Sequence, residues 1–318
     1  MKYLVIVNPI SGHGYAEKAI PQIEAEMRRQ GLDFDLVRTE RPWHAAELAE
    51  QAARDGYDVV VIASGDGTAN EAINGLMRAQ KAGFAQTALA LLPVGTGNDM
   101  SYGLGVRGQL VQNIETLAKN YRRKIDLGFV QGGDYPQGRY FANGVGIGFD
   151  AVVGFVAVKI RWARGLLAYL IAVLQTVFIY YKAPTVELTY NNASYTQATL
   201  MISIMNGQRM GGGFFMAPLG DPTDGHFDLC IATAVSRRRI FGLIPYFLKG
   251  TQASQPEIIT GRTDKISVKA LQGTLPAHCD GETLCENGLE LHMEIVPAAL
   301  DLVTTEILLQ ETSASRRA

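Results

Sequence analysis

The chain has 318 residues, enough for one large or two medium-sized domains, and 47% of them are hydrophobic, which supports a substantial buried core. The formal net charge of −2 gives no electrostatic reason to expect nucleic acid as a partner. Three cysteines cannot form a disulfide framework, and no signal peptide is recognisable. The composition therefore predicts a cytoplasmic protein with reduced thiols.

The first part of the chain alternates short apolar runs with helical patterns. Strands are predicted at Tyr3–Val7, Phe34–Arg38, Val59–Ala63 and Ala88–Leu92, and helices at Tyr15–Gln30, Trp43–Arg54 and Thr68–Lys81. The strands are apolar throughout, as in a parallel sheet that is covered on both faces. This pattern predicts a nucleotide-binding α/β domain over residues 1–128.

Helical periodicity becomes scarce after Asp126, and alternating β-branched residues appear instead. Strands are predicted at Val186–Tyr190, Ala198–Met205, Phe227–Thr233, Lys265–Lys269 and Leu289–Ile295, with helical stretches at Ala151–Tyr181 and Arg238–Lys249. The second domain, over residues 129–310, is therefore predicted to be a mainly antiparallel β-sandwich that binds the substrate. Its last strand could return to the first domain, and an unpaired edge could support a homodimer. A frayed tail is expected over residues 311–318.

One apolar stretch, Gly165–Tyr181, has about the length of a marginal membrane span. Because it contains Gln175 and Thr176, a largely buried helix is favoured over a span or an interfacial helix. The basic run Arg237–Arg239 precedes another apolar helix. It is interpreted either as a solvated helix start or as a contact for anionic lipid headgroups.

Three glycine-rich loops, Asn8–Gly12, Ser64–Thr68 and Gly95–Asp99, each follow a predicted strand. The ends of parallel strands meet at one edge of a sheet, where such folds bind ligands, and glycine lets backbone N–H groups approach phosphate. Carboxylates at Asp66 and Asp99 would repel bare phosphate, so their presence suggests a bridging Mg²⁺. The loops predict a nucleotide-using phosphotransferase, although none is a P-loop or a Rossmann fingerprint.

A second group of polar residues lies at Asp280-Gly281-Glu282. Transfer of a phosphoryl group to an alcohol needs a residue that takes the hydroxyl proton, and a carboxylate suits this role. Asp-Gly is equally a common hairpin turn, so the triplet alone leaves both interpretations open. The neighbouring His278, Cys279 and Cys285 match no common zinc pattern.

Taken together, the three loops resemble those of the diacylglycerol-kinase catalytic domain family. The family includes soluble bacterial diacylglycerol kinases, YegS-like lipid kinases, and sphingosine and ceramide kinases. The resemblance extends through Asn143-Gly144, Asn206-Gly207, Pro218–Asp228 and Asp280–Glu282. It implies a first domain of the NAD-kinase and phosphofructokinase type. The chain departs from the family pattern at Ser64, where glycine is usual.

The resemblance implies roles for individual residues. Those expected to contact ATP are Asn8, Pro9, Ile10, Ser11, Gly12, Thr39, Gly65, Asp66, Gly67, Thr68, Ala69, Asn70, Glu71 and Thr96. Asp66, Asp99 and Asp126 would hold a catalytic Mg²⁺ through water, and Asp280 or Glu282 would be the general base. A structural Mg²⁺ is implied at the Asp224 carboxylate and the backbone oxygens of Asp221 and His226.

The predicted function is an ATP-dependent lipid kinase, acting peripherally at the inner face of the membrane. Diacylglycerol, converted to phosphatidic acid, is the favoured acceptor. Phosphatidylglycerol, undecaprenol or a sphingoid base are alternatives, because each presents a hydroxyl near an interface. A soluble-substrate kinase of the NAD kinase type and a non-catalytic nucleotide- or lipid-binding module are the remaining alternatives.

Overall fold

A computed structural model describes residues 1–84, 86–160, 165–180 and 182–305 of the chain. These residues divide into two units. The first comprises Met1–Ile125 and the chain from Ala298 onward, and the second comprises Asp126–Pro297. The sequence placed the boundary at residue 128, and the expected frayed tail over residues 311–318 lies outside the described residues.

The first unit alternates strands and helices around a parallel sheet. Its strands are β1 (Lys2–Val7), β2 (Asp33–Arg38), β3 (Val59–Ser64) and β4 (Ala88–Pro93), and its helices are α1 (Ser11–Arg29), α2 (His44–Arg54), α3 (Asp66–Lys81), α4 (Asp99–Gly103) and α5 (Leu110–Lys119). The strands lie in the order β4–β3–β1–β2. The end of the last strand, β17 (Glu290–Thr304), pairs in parallel with β4 through Leu302 and Leu89.

The sheet of the first unit is covered by helices, as its apolar strands require. Every residue of β3 is buried, and Val5 and Val61 form a core cluster with Ile23 of α1. Helices α2 and α3 pack closely against each other. A Cβ at Gly75 of α3 would lie only 2.0 Å from the backbone oxygen of Ala46 in α2, so this crossing depends on a glycine.

The second unit is mainly antiparallel. Its strands are β5 (Tyr121–Gly132, which begins in the first unit), β6 (Tyr135–Phe141), β7 (Gly144–Gly148), β8 (Thr185–Tyr190), β9 (Ala193–Met205), β10 (Arg209–Met210), β11 (Phe214–Phe215), β12 (Phe227–Thr233), β13 (Ile258–Thr263), β14 (Lys265–Gln272), β15 (Leu275–Cys279) and β16 (Glu282–Gly288). Strands β16, β15, β7, β9, β8, β14 and β17 pair in that order, and β12 pairs with β9 and β13. Its helices are α6 (Phe149–Lys159), α7 (Gly165–Gln175) and α8 (Arg237–Lys249).

Two buried clusters stabilise the second unit. One lies between the strands and includes Phe141, Ile204 and Phe227. The other includes Val153 of α6 and Leu243 of α8, from the helices that pack against β9. The predicted fold class, an α/β domain followed by a mainly antiparallel β-sandwich, is confirmed.

The apolar stretch after α6 differs from its prediction. Instead of one helix over Ala151–Tyr181, the chain forms α6 and then α7, which continues as a π-helical turn over Thr176–Tyr180; residues 161–164 and 181 lie outside the description. The expectation of a largely buried helix is wrong for one face, since Leu174, Phe178 and Ile179 are 46%, 65% and 66% exposed. No helix within the described residues combines the length and apolar character needed to cross a bilayer.

The close crossing of α2 and α3 yields a stability prediction. Gly75→Ala should lower the free energy of unfolding by about 1–3 kcal/mol, because the added methyl group meets the Ala46 backbone and forces the helices apart. Gly154→Ala is the matched control. It adds the same atom to a helix where no heavy atom lies within 4 Å, and it should leave stability unchanged or raise it. Urea unfolding of the two variants tests this, and equal stabilities would contradict it.

Candidate active-site residues

The three glycine-rich loops follow β1, β3 and β4, which are neighbours in the parallel sheet. Their ends are aligned, since Val7 pairs with Ala63 and Ala63 pairs with Leu92. Two close approaches join the loops. A Cβ at Gly95 would lie 2.4 Å from the Gly65 Cα, and a Cβ at Gly12 would lie 2.3 Å from the Val94 oxygen. The loops therefore come together at one sheet edge, and glycine is required where they meet.

The first loop has a backbone that favours glycine. Gly12, His13 and Gly14 have φ angles of 58°, 57° and 85° and lie in the left-handed region before the regular part of α1. The Gly14 N–H donates to the Ile10 oxygen at 3.2 Å, which closes this part of the loop into a turn. Glycine tolerates this backbone readily, whereas His13 does so at a cost.

Ser64, the departure from the family pattern, has a local role. Its side chain is buried, and its hydroxyl donates to Thr68 Oγ1 at 2.8 Å. Asn8 Nδ2 donates to the same oxygen at 3.1 Å. Thr68 therefore links the first loop to the second, and the extra hydroxyl of Ser64 strengthens that link.

Asp66 and Asp99 are brought together. Asp66 begins α3, and its carboxylate accepts hydrogen bonds from the backbone N–H groups of Asp99, at 2.8 Å, and Met100, at 3.2 Å. Both carboxylates border Gly97, whose Cβ would lie 3.8 Å from Asp66 Oδ2 and 3.9 Å from Asp99 Oδ2. Two carboxylates beside one glycine form an oxygen-rich site of the kind that Mg²⁺ prefers.

The third predicted metal residue, Asp126, belongs to the second unit. It is 3% exposed, its N–H donates to the Pro222 oxygen, and its Oδ2 accepts from the Gly225 N–H, both at 2.7 Å. It holds the loop that contains Asp221 and Asp224. Among the described residues, no group of three or more His, Cys, Asp or Glu side chains could hold a metal ion. The three-carboxylate network therefore stays a prediction from the resemblance.

The loop expected to hold a structural Mg²⁺ is stabilised by other means. Asp221 Oδ1 accepts from the Thr223 N–H at 3.0 Å and from its hydroxyl at 2.7 Å, and Asp224 Oδ1 accepts from the His226 N–H at 3.0 Å. The guanidinium of Arg262 binds the other Asp224 oxygen. Burial raises the pKa of Asp224, and the charge of Arg262 opposes that shift. In this structure the guanidinium of Arg262 supplies the counter-charge for Asp224, and the structural Mg²⁺ stays a prediction from the resemblance.

Most of the other residues expected to contact ATP lie near the loop edge. Thr39 follows β2, and its N–H donates to the Val7 oxygen at 2.8 Å. Glu71 Oε2 accepts from the Ala45 N–H at 3.3 Å. Ala69 and Asn70, in contrast, are buried in α3, so their side chains support the second loop from within.

The Asp280-Gly281-Glu282 triplet forms the hairpin between β15 and β16. Asp280 and Gly281 have φ angles of 49° and 85°, as a two-residue type I′ turn requires. The buried Asp280 carboxylate accepts hydrogen bonds from the N–H groups of Ala142, Asn143 and Gly144, at 2.9, 3.0 and 2.9 Å. These three hydrogen bonds, which we call the Asp280 clamp, fasten the hairpin to the segment between β6 and β7. Glu282, by contrast, is exposed.

The contacts of two further residues were not predicted from the sequence. Asn206 Nδ2 donates to the oxygens of Asp126 and Ala142, at 2.9 and 2.8 Å, and so connects the Asp126 segment with the Asp280 clamp. His278 Nε2 lies 3.0 Å from Asp150 Oδ2 in a buried pair. These partners are far apart in the sequence, so only tertiary structure reveals them.

The cysteines near the hairpin are buried, free thiols. Burial raises the pKa of Cys279 and Cys285, and that of the more distant Cys230 to about 12. They are therefore protonated near neutral pH and poorly suited to bind metal.

Comparisons with known proteins match both units. The diacylglycerol kinase catalytic domain matches residues 2–130, and the YegS C-terminal NAD kinase beta sandwich-like domain matches residues 143–304. The diacylglycerol kinase of Mycobacterium tuberculosis (strain H37Rv) is 28% identical over 305 residues, covering 95% of this chain and 94% of that protein. That of Bacillus subtilis (strain 168) is 26% identical over 280 residues, covering 87% and 88%.

Two solved structures share the fold. The first is a diacylglycerol kinase from Bacillus anthracis Sterne, with a TM-score of 0.71 and 19% identity over 96% of this chain and 97% of that one. The second is an NAD kinase from Archaeoglobus fulgidus in complex with ATP, with a TM-score of 0.55 and 12% identity over 100% and 99%.

The Asp280 clamp yields a prediction that separates the two hairpin carboxylates. Asp280→Asn keeps the turn conformation but loses the negative charge and sets an amide N–H₂ against backbone N–H donors. We expect a loss of about 2 kcal/mol in the free energy of unfolding. Glu282→Gln should change it by less than about 0.5 kcal/mol. Denaturant unfolding measures both, and a stable Asp280→Asn variant would show that the clamp is not structural.

The Arg262 contact yields a second prediction. Arg262→Gln should lower the free energy of unfolding by about 1 kcal/mol near neutral pH, because Asp224 loses its counter-charge at a partly exposed site. The difference should shrink as the pH falls through the raised pKa of Asp224, since a protonated carboxyl no longer attracts the guanidinium. Lys265→Gln, which removes a nearby exposed cation, is the control. A difference independent of pH would argue against the ion pair.

Proposed function

The chain belongs to the diacylglycerol kinase catalytic domain family, and from that premise we propose that it is an ATP-dependent lipid kinase. It would transfer the γ-phosphoryl group of ATP to the hydroxyl of a lipid, and diacylglycerol is the acceptor we favour because the curated relatives carry that name. The observation that carries the proposal is the meeting of three glycine-rich loops beside Asp66 and Asp99 at one edge of the parallel sheet.

The loops would bind the phosphates of ATP. The second loop leads into the start of α3 after Gly65, and a helix N-terminus favours a nearby anion. Ser11, Thr68 and Thr96 add hydroxyl donors. Because phosphoryl transfer depends mainly on positioning and on offsetting charge, a rigid loop cluster held by glycine contacts is suited to it.

The paired carboxylates fit a role in holding Mg²⁺. Asp66 is oriented by two backbone N–H groups, so its remaining lone pairs have a fixed direction, and Asp99 faces the same glycine. We propose that both would hold the ion through water. When bound, the ion would offset the negative charge of the phosphates.

Glu282 is the residue we propose as general base. The buried Asp280 carboxylate is engaged by three backbone N–H groups, so its role is to position the hairpin. Glu282 follows directly on the same turn and is exposed. It would accept the proton of the lipid hydroxyl as the oxygen attacks the γ-phosphorus, the bond from that phosphorus to the bridging oxygen breaks, and ADP leaves.

Several features of the second unit support a lipid substrate. A narrow apolar cavity of about 60 Å³ lies between α6, α7, α8 and β9 and is lined by residues such as Val153, Leu200 and Phe247. Nearby, Phe178 and Ile179 expose their apolar side chains, and Phe178 contacts Phe241 of α8. A kinase with a small polar substrate has no need of such an exposed apolar face. We therefore propose that the protein works peripherally at a membrane surface.

Activity measurements test the proposal. Asp66→Ala and Glu282→Gln should each reduce ATP-dependent phosphorylation of diacylglycerol in mixed micelles by at least about 100-fold, because one loses phosphate and ion positioning and the other loses the base. Glu290→Gln, an exposed acid in the same unit, is the matched control and should retain full activity. Full activity in either active-site variant would refute the assignment.

The acceptor is tested with labelled ATP in parallel reactions that contain diacylglycerol, phosphatidylglycerol, undecaprenol, sphingosine or NAD. Label in NAD alone would support a kinase of the NAD kinase type. ATP binding without transfer to any acceptor would support a binding module.

A further inference from the structure

A large cavity lies in the second unit, along helix α6. Its volume is about 670 Å³, within the usual range for small-molecule sites. A second cavity, of about 270 Å³, shares Phe155, Lys159 and Glu286 with it. The two cavities therefore adjoin and form one trough, which we call the α6 trough. We propose that the α6 trough binds an anionic amphiphile, with its chain along α6 and its phosphate-type headgroup at Lys159 and Lys182.

One wall of the trough is apolar. Val152, Phe155 and Val156 lie on successive turns of α6 and line it, with Phe149 at the start of the helix. Val152 and Phe155 are only partly buried, so apolar surface remains available to a ligand. An acyl chain that covers this surface is stabilised by the hydrophobic effect in proportion to the area it buries.

The charge of the trough favours an anion. Lys159 and Lys182 line the larger cavity and are exposed, and neither makes an ion pair with the residues that the structure describes. Glu286 is the opposing acid. At the other end, His278 is paired with the buried Asp150, so that end contributes little net positive charge. Two lysines against one glutamate leave a positive site beside an apolar wall, which matches a phospholipid better than a neutral or cationic lipid.

The trough also reaches the hairpin of the proposed active site. The smaller cavity is bordered by His278, Gly281 and Thr283, and Gly281 immediately precedes Glu282. The link between the trough and the active site rests on the proposed lipid kinase function, whereas lipid binding in the trough does not. The bound lipid would be either a phosphate-bearing acceptor, such as phosphatidylglycerol, or the phosphorylated product. Binding itself does not depend on catalysis.

Calorimetric titration of the full chain with soluble dihexanoyl lipids tests the inference. Dihexanoyl phosphatidate and phosphatidylglycerol should bind at least about tenfold more tightly than dihexanoyl phosphatidylcholine, and Lys159→Gln/Lys182→Gln should remove that preference. Lys265→Gln/Lys269→Gln, which removes two exposed lysines of the same unit, is the matched control and should retain it. Phe155→Ser should weaken all three lipids alike. Inorganic phosphate should compete poorly, because it lacks the chain.

Labelled ATP then distinguishes the two sources of the anionic lipid. If phosphatidylglycerol becomes labelled, and Lys159→Gln/Lys182→Gln labels it less than the unsubstituted protein does, the bound lipid is the acceptor. If diacylglycerol is the only lipid that becomes labelled, the bound anionic lipid is the product, phosphatidate. Equal affinity for anionic and zwitterionic lipids, or no difference between the two double variants, would overturn the inference. If no lipid becomes labelled, that result would count against the kinase function. The calorimetric titration would still test whether the trough binds an anionic lipid.

Discussion

The constraint on which the candidate site depends is the close approach of its loops at the ends of β3 and β4. A side chain at Gly95 would collide with the Gly65 backbone, and one at Gly12 would collide with the Val94 oxygen. Because the three strands are in register, any shift that relieved these contacts would also separate Asp66 from the N–H groups of Asp99 and Met100. The packing of the loops therefore also fixes the orientation of the Asp66 carboxylate. The Thr68 hydroxyl, which accepts hydrogen bonds from Asn8 and Ser64, stabilises this arrangement.

The second unit has a comparable constraint, because one buried carboxylate fixes the hairpin between β15 and β16. Asp280 binds three consecutive backbone N–H groups, and Asn206 connects the same segment to Asp126. The short segments that carry the family resemblance in this half, Asn143-Gly144 and Asn206-Gly207, thus serve architecture. They fix the position of the hairpin and leave Glu282 exposed at its end.

The sequence predicts the fold well because its signals are local. Apolar strands and period-two alternation identify β1 to β4 and, in the second unit, β8, β9, β12, β14 and the first part of β17. The other strands of the second unit were not predicted. The loop cluster is also predictable, since parallel strands must end at one edge. The choice between Asp280 and Glu282 is not, because the residues that bind Asp280 lie more than a hundred positions earlier. A similar separation of 128 positions hides the His278–Asp150 pair. Arg262 and Asp224 lie 38 positions apart, and their contact also depends on tertiary structure. The prediction that the apolar stretch after α6 is largely buried was wrong for one face, because periodicity does not show which face of a helix packs against the rest of the protein.

Asp280 and the walls of the α6 trough differ in how freely they can be substituted, and this difference would allow such a kinase to change its acceptor while its phosphoryl-transfer residues stay the same. Asp280 and the backbone it binds must stay fixed, since a buried carboxylate with unsatisfied donors around it is costly. The walls of the α6 trough carry no such constraint, because Lys159 and Lys182 are exposed and Val152 and Phe155 are partly so. Substitutions there would alter lipid preference at little expense in stability. Acceptor specificity would then vary along α6, while the donor loops and the hairpin remain as they are.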